Sequence, residues 1–148
     1  MPPSVSQSDY EALAEVRYCI RRFVNFSETS ARGVGLEPQQ HQLLLAIRGL
    51  APSAIPTIRC LAERLQIQHN SAVELVRRSV EKGLLVKRAS GRDRREVLLE
   101  IAPKGRRLLE KLAIAHRTEL RSTAPVLFTA LRALLEGHRP IRVQRRNQ

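Results

Sequence analysis

The chain has 148 residues, 43% of them hydrophobic, with 26 Lys and Arg against 14 Asp and Glu for a formal charge of +12. That length holds one domain with a real core, that hydrophobic share excludes a disordered chain, and the absence of an 18-residue apolar run excludes a transmembrane helix. The positive surplus points to a polyanionic partner: DNA, RNA or an anionic surface.

Residues 1–8 carry two prolines, three serines and no periodicity, and read as a loose tail. From Asp9 to about Arg32 the spacing predicts a helix. Leu13, Val16, Ile20 and Phe23 form its apolar stripe, and Gly33 and Gly35 end it. A second helix is expected over about 37–50, opened by Pro38, with Leu43, Leu44, Ile47 and Leu50 on its buried face. After a loop with two prolines, IRCLAERL (58–65) places Ile58, Leu61, Ala62 and Leu65 on one side of a third helix. A turn over 66–70 leads to a fourth helix, about 70–82, closed by Gly83 as the residue after its C-cap. Two burial registers are open for it: Ala72, Leu75, Val76 and Ser79, or Val73, Val76 and Val80.

Two β-prone runs follow, LLVKR (84–88) and EVLLEI (96–101), around the basic turn ASGRDRR (89–95). Helix, turn, helix and basic hairpin in that order make a winged helix-turn-helix. A fifth helix is expected from Pro103. A break around Ser122 to Pro125 then gives a sixth carrying Val126, Leu127, Ala130, Leu131, Leu134 and Leu135. The end, residues 137–148, has four arginines and no acid, and reads as a disordered basic tail.

Charge gathers at this motif. From Leu84 to Arg107 there are eight basic residues (Lys87, Arg88, Arg92, Arg94, Arg95, Lys104, Arg106, Arg107) against three acids. Such a patch neutralises phosphates and gives affinity without sequence information. Base reading needs groove contacts. Asn70, Ser71 and Glu74 at the front of the fourth helix offer an amide, a hydroxyl and a carboxylate for base edges, and Arg78 can reach guanine or a phosphate. His69 and Arg77 flank that front and complete the candidate DNA-binding set on the helix. At the wing, Arg92, Arg94 and Arg95 are the expected groove or phosphate contacts, with Asp93 expected to hold Arg95 in a fixed pose by a charge-assisted hydrogen bond.

Other chemistry is not expected. The N-terminus lacks the basic and apolar regions of a secretory signal, and Cys19 and Cys60 make no disulfide framework, so a reducing, cytoplasmic location is the expectation. The histidines at 41, 69, 116 and 138 show no metal spacing, and no phosphate loop or nucleophile elbow is present, so no metal, cofactor or catalytic residue is expected. Cys19, near Arg17, Arg21 and Arg22, leaves open a redox switch. The basic wing and tail leave open an RNA-binding or assembly module that uses charge without reading bases.

The run from Pro56 to Gly105, with its LAERL helix, its Asp-Arg-Arg wing and a strand leading to Gly105, and LEPQQHQLLLAI (36–47) before it, resembles the multiple-antibiotic-resistance regulator (MarR) family. The resemblance covers about residues 10–136. It implies a mainly α fold with a small β wing. Residues 36–101 form the winged helix-turn-helix, and 9–32 and 103–136 are dimerisation helices. It further implies a homodimer on an inverted repeat in double-stranded DNA, and repression relieved by a small-molecule effector, with no membrane partner. Dimerisation is expected through Leu13, Val16 and Ile20 and through Leu127, Leu131 and Leu134, stripes that offer more apolar surface than a small winged core can cover. Three residues depart from the family's pattern: Ala102 for threonine, Ser79 for a larger apolar residue, and Pro125 near the start of the last helix.

Overall fold

The computed structural model describes residues 4–93 and 95–136. Arg94 of the expected wing and the expected basic tail, 137–148, lie outside the described residues. Among the described residues the elements run α1 (Gln7–Gly33), α2 (Pro38–Arg48), α3 (Ile58–Leu65), α4 (His69–Glu81), β1 (Leu85–Ala89), β2 (Val97–Ile101) and α5 (Pro103–Glu136).

Two compact units form. One comprises residues up to 25 with those from 118 onward; the other comprises residues 26–117. The second unit contains the helix-turn-helix and the wing. Its core joins Leu43 and Leu44 of α2, Leu61 of α3, Leu75 and Val76 of α4, Leu85, Leu99 and Ile101 of the strands, and Leu109 and Leu112 of α5. These are the aliphatic positions that recur at three and four residues in the helices and at two in β2, so the period of the sequence becomes the buried face.

The caps fix where each element stops. Thr57 accepts the Cys60 N–H on its side-chain oxygen at 3.2 Å and starts α3, a contact worth about 1 kcal/mol. Gln66 ends it in a left-handed conformation, φ 55°. Gly83, φ 75°, ends α4, and the Leu84 N–H reaches back to the Ser79 carbonyl at 2.9 Å. That bond sends Leu84 inward and turns the chain into β1.

β1 and β2 pair antiparallel, Leu85 with Ile101 and Ala89 with Val97. The hairpin is tied to the helix-turn-helix by the Leu99 N–H, which donates to the Pro56 carbonyl at 3.0 Å. The start of α5 lies so close to β1 that a Cβ on Gly105 would sit 2.4 Å from the Leu84 carbonyl oxygen. Only glycine fits that approach. Ala102, without a capping hydroxyl, instead donates its N–H to the same carbonyl at 2.9 Å.

Two expectations are corrected. The break expected at Ser122 to Pro125, and with it a separate sixth helix, is absent: α5 continues to Glu136 with Pro125 inside it. The residues that suggested a break turn their hydroxyls onto the helix. Ser122 and Thr123 both donate to the Glu119 carbonyl, at 2.9 and 3.0 Å, and Thr129 donates to the Pro125 carbonyl at 2.9 Å. The second correction concerns Asp93 and is described with the wing below.

Candidate nucleic-acid interface

α4 settles on the first of its two registers. Ala72, Leu75, Val76 and Ser79 are buried, while Val73 is 41% exposed. Ser79 is fully buried because its hydroxyl donates to the Leu75 carbonyl at 2.7 Å, so the small polar residue meets the core without an orphaned group. The opposite face of α4 therefore carries His69, Asn70, Ser71, Glu74 and Arg77, all exposed. Gln68, the N-cap, makes no side-chain cap, which leaves first-turn N–H groups open at an exposed helix start.

The charged residues on this face are linked to one another. Arg77 donates to both Glu74 oxygens, at 2.9 and 2.6 Å, and to Glu81. The Arg77 hydrogen bond holds the Glu74 carboxyl below its ordinary value, and the same contact raises the guanidinium. Arg78 is one-third exposed and reaches Glu37, at the start of α2, at 3.1 Å. These contacts join α4 to α2 and occupy the carboxylate expected to read cytosine. Asn70 and Ser71 make no side-chain hydrogen bond among the described residues.

In the wing, Asp93 is not bonded to the Arg95 guanidinium. Its Oδ1 accepts the Arg95 main-chain N–H at 2.9 Å, and its carbonyl accepts the Glu96 N–H at 3.1 Å. An aspartate two residues before a free N–H closes a turn more readily than it recruits a long flexible side chain. Asp93 thus shapes the turn and leaves the Arg95 side chain free of an acid among the described residues.

The basic patch divides in two. Arg88 pairs with Glu100 across the strands, which lowers the Glu100 carboxyl. Lys104 donates to the Lys82 carbonyl at 3.0 Å and Arg106 to the Ile101 carbonyl at 3.0 Å. These three serve the fold. Lys87, Arg92, Arg95 and Arg107 are exposed and have no ion pair among the described residues. A cleft of about 390 Å³ between wing and helices brings His69 and Arg95 together with Arg59, Thr57 and Asp93. Arg59 is the residue that sequence reasoning left out. Its signal was its place on the outer side of α3, next to the strand that Thr57 bridges.

The expected dimerisation residues lie in the unit of residues up to 25 and from 118 onward. Leu13, Ile20 and Leu131 are 48%, 44% and 42% exposed, and Val16, Leu127 and Leu134 are half-buried. Tyr10, Phe128 and Leu135 of the same unit are exposed as well. Cys19 is half-buried, and its sulfur lies 4.0 Å from the Glu15 carboxylate, while Arg22 sits over the Tyr18 ring. A carboxylate neighbour does not stabilise a reactive thiolate.

His41 is buried against His116, ring centroids 4.9 Å apart, and Phe26 meets the His116 ring edge-on at 5.2 Å. His116 Nδ1 lies 2.7 Å from the Leu112 carbonyl, and His41 Nδ1 is buried without a hydrogen-bond partner. Burial, and secondarily the charge of His116, lower the His41 pKa to about 4. No group of three metal-ligating side chains forms among the described residues, nor is any described helix long and apolar enough to cross a membrane.

Comparison with known proteins agrees with this geometry. A family model described as the MarR family matches residues 34–96. No protein of curated function matches the chain in sequence. Among solved structures it is similar to AbsC, a MarR family transcriptional regulator from Streptomyces coelicolor, at 16% identity and a TM-score of 0.70, covering 91% of this chain and 94% of that one. It is also similar to a mutant MarR from E. coli complexed with operator DNA, at 18% identity and a TM-score of 0.64, covering 84% and 91%. A probable transcriptional regulator from Pseudomonas aeruginosa matches at 25% identity and a TM-score of 0.60, covering 80% and 90%. Residues 34–96, which hold the winged helix-turn-helix, thus match the MarR family model, and the fold around them is similar to that of solved MarR family transcription regulators.

Proposed function

We propose that this chain is a sequence-specific DNA-binding regulator that acts as a homodimer, represses transcription from an inverted repeat, and is released by a small effector. It works in the cytoplasm, by binding and not by catalysis. The observation that carries the reading is the pairing of two surfaces in one unit: the exposed start of α4, with His69, Asn70 and Ser71, and the wing, whose Arg95 shares a cleft with His69 and whose Arg92 and Arg95 have no ion pair among the described residues. The helix start presents side chains sized for base edges in a major groove, and the wing supplies phosphate or minor-groove contacts. Two such units related by a two-fold axis read two half-sites, and the exposed apolar stripes of α1 and α5 are the surface that would join them. The solved E. coli relative complexed with operator DNA supports the same partner for this chain.

Selection from random duplex DNA at roughly physiological salt tests the proposal. The expected product is an inverted repeat. Recovery of no enriched sequence, or equal affinity for structured RNA and the selected duplex with one common salt slope, overturns it.

A further inference from the structure

The outward stripe of α4 runs through Asn70, Val73, Glu74 and Arg77, at the i, i+3, i+4, i+7 spacing of one helix face. Three of these are polar. Val73 is a branched apolar side chain, 41% exposed, and it belongs to neither the core nor an ion pair. The core side of α4 is already filled by Ala72, Leu75, Val76 and Ser79. A β-branched residue at an exposed helical position is a poorer helix former than alanine and leaves apolar surface in water. Next to it, Glu74 is held by Arg77, and Arg77 by Glu74 and Glu81. The groups left to meet a groove are therefore the ring of His69, the amide of Asn70, the hydroxyl of Ser71 and the methyls of Val73.

We propose that Val73 is a specificity-determining residue that reads the C5-methyl group of a thymine in each half-site. The proposal rests on the DNA-reading function proposed above. The thymine methyl is the one apolar group that base pairs display in the major groove, and small apolar side chains are its partners. Val73 stands one helical turn after Asn70, so an adenine-reading amide and a methyl-reading side chain follow each other along the groove.

The test uses the full chain and the synthetic duplex recovered by selection, with each thymine replaced singly by deoxyuridine. Loss of the methyl at one thymine per half-site should weaken binding about three- to ten-fold, the value of burying one methyl group. Val73→Ala should bind the parent duplex more weakly by a similar factor and lose sensitivity at that thymine alone. Val73→Thr, which keeps a methyl in the same branched shape, should keep part of it. Equal deoxyuridine penalties for the parent chain and Val73→Ala, or no thymine at which uracil matters, overturn the assignment of Val73 while leaving DNA reading intact. Failure to recover any enriched duplex overturns DNA reading itself, and this inference with it.

Discussion

Burial keeps the His41 ring neutral down to about pH 4, against an ordinary value of 6.5. Between those two values the unfolded chain takes up a proton that the folded chain refuses. Stability is therefore complete above the unfolded value and falls as pH drops through this window. At about pH 5 the expected loss is about 2 kcal/mol relative to neutral pH. Urea unfolding of the full chain at the two pH values measures it. His41→Leu removes the titrating ring and its unpartnered nitrogen, and should flatten the dependence; an unchanged slope in that variant would mean another group titrates. The second prediction at this scale concerns Arg77. Freed by Glu74→Gln with Glu81→Gln, it should add a phosphate contact, tighten binding to any duplex and steepen the log–log salt slope by about 0.9. A changed base preference with an unchanged slope would instead make Glu74 a base-reading residue. The spacing of Glu74, Arg77 and Glu81 carries the signal for this lock, since i, i+3 and i, i+4 neighbours meet on a helix, but from the sequence Glu74 is expected at a base edge instead. The Asp93 contact was not legible, because its partner is a main-chain N–H that exists only once the turn has formed.

At the scale of elements, α1 to α4 and both strands sit close to where periodicity and punctuation place them. Gly83, Pro38 and the aliphatic stripes are strong local signals because each acts through its own backbone. The register of α4 was ambiguous because two apolar stripes overlap at Val76. Ser79 decides it, and its hydrophilic label misleads: with the Leu75 carbonyl in reach, burying its hydroxyl costs little. The same chemistry explains the long last helix. Ser122 and Thr123 are break signals when their hydroxyls compete with the helix, but here both donate to the Glu119 carbonyl from within it. Pro125 still lacks an N–H. Pro125→Ala should restore one intrahelical bond and raise stability by up to about 3 kcal/mol, seen as a higher Tm. An unchanged or lower Tm would show that the helix relies on the proline's shape.

For the molecule as a whole, charge and apolar surface make opposite demands. A chain of +12 repels its own copies, yet Tyr10, Leu13, Ile20, Phe128, Leu131 and Leu135 are all exposed on one unit. Exposed aliphatic and aromatic side chains in such density mark an association surface. A second copy offers the same stripes with the symmetry that an inverted repeat requires. Ile20→Glu places a charge in this surface without touching α4 or the wing. Sedimentation should then show the parent chain as a dimer and the variant as a monomer. The two species should bind a single half-site equally, because each carries a complete winged unit. On the full inverted repeat the variant should lose about 100-fold or more in affinity, the advantage of linking two sites, with no change in preferred bases. If Ile20→Glu stays dimeric, or remains as tight on the repeat as the parent chain, the apolar stripes of α1 and α5 are not what joins two copies.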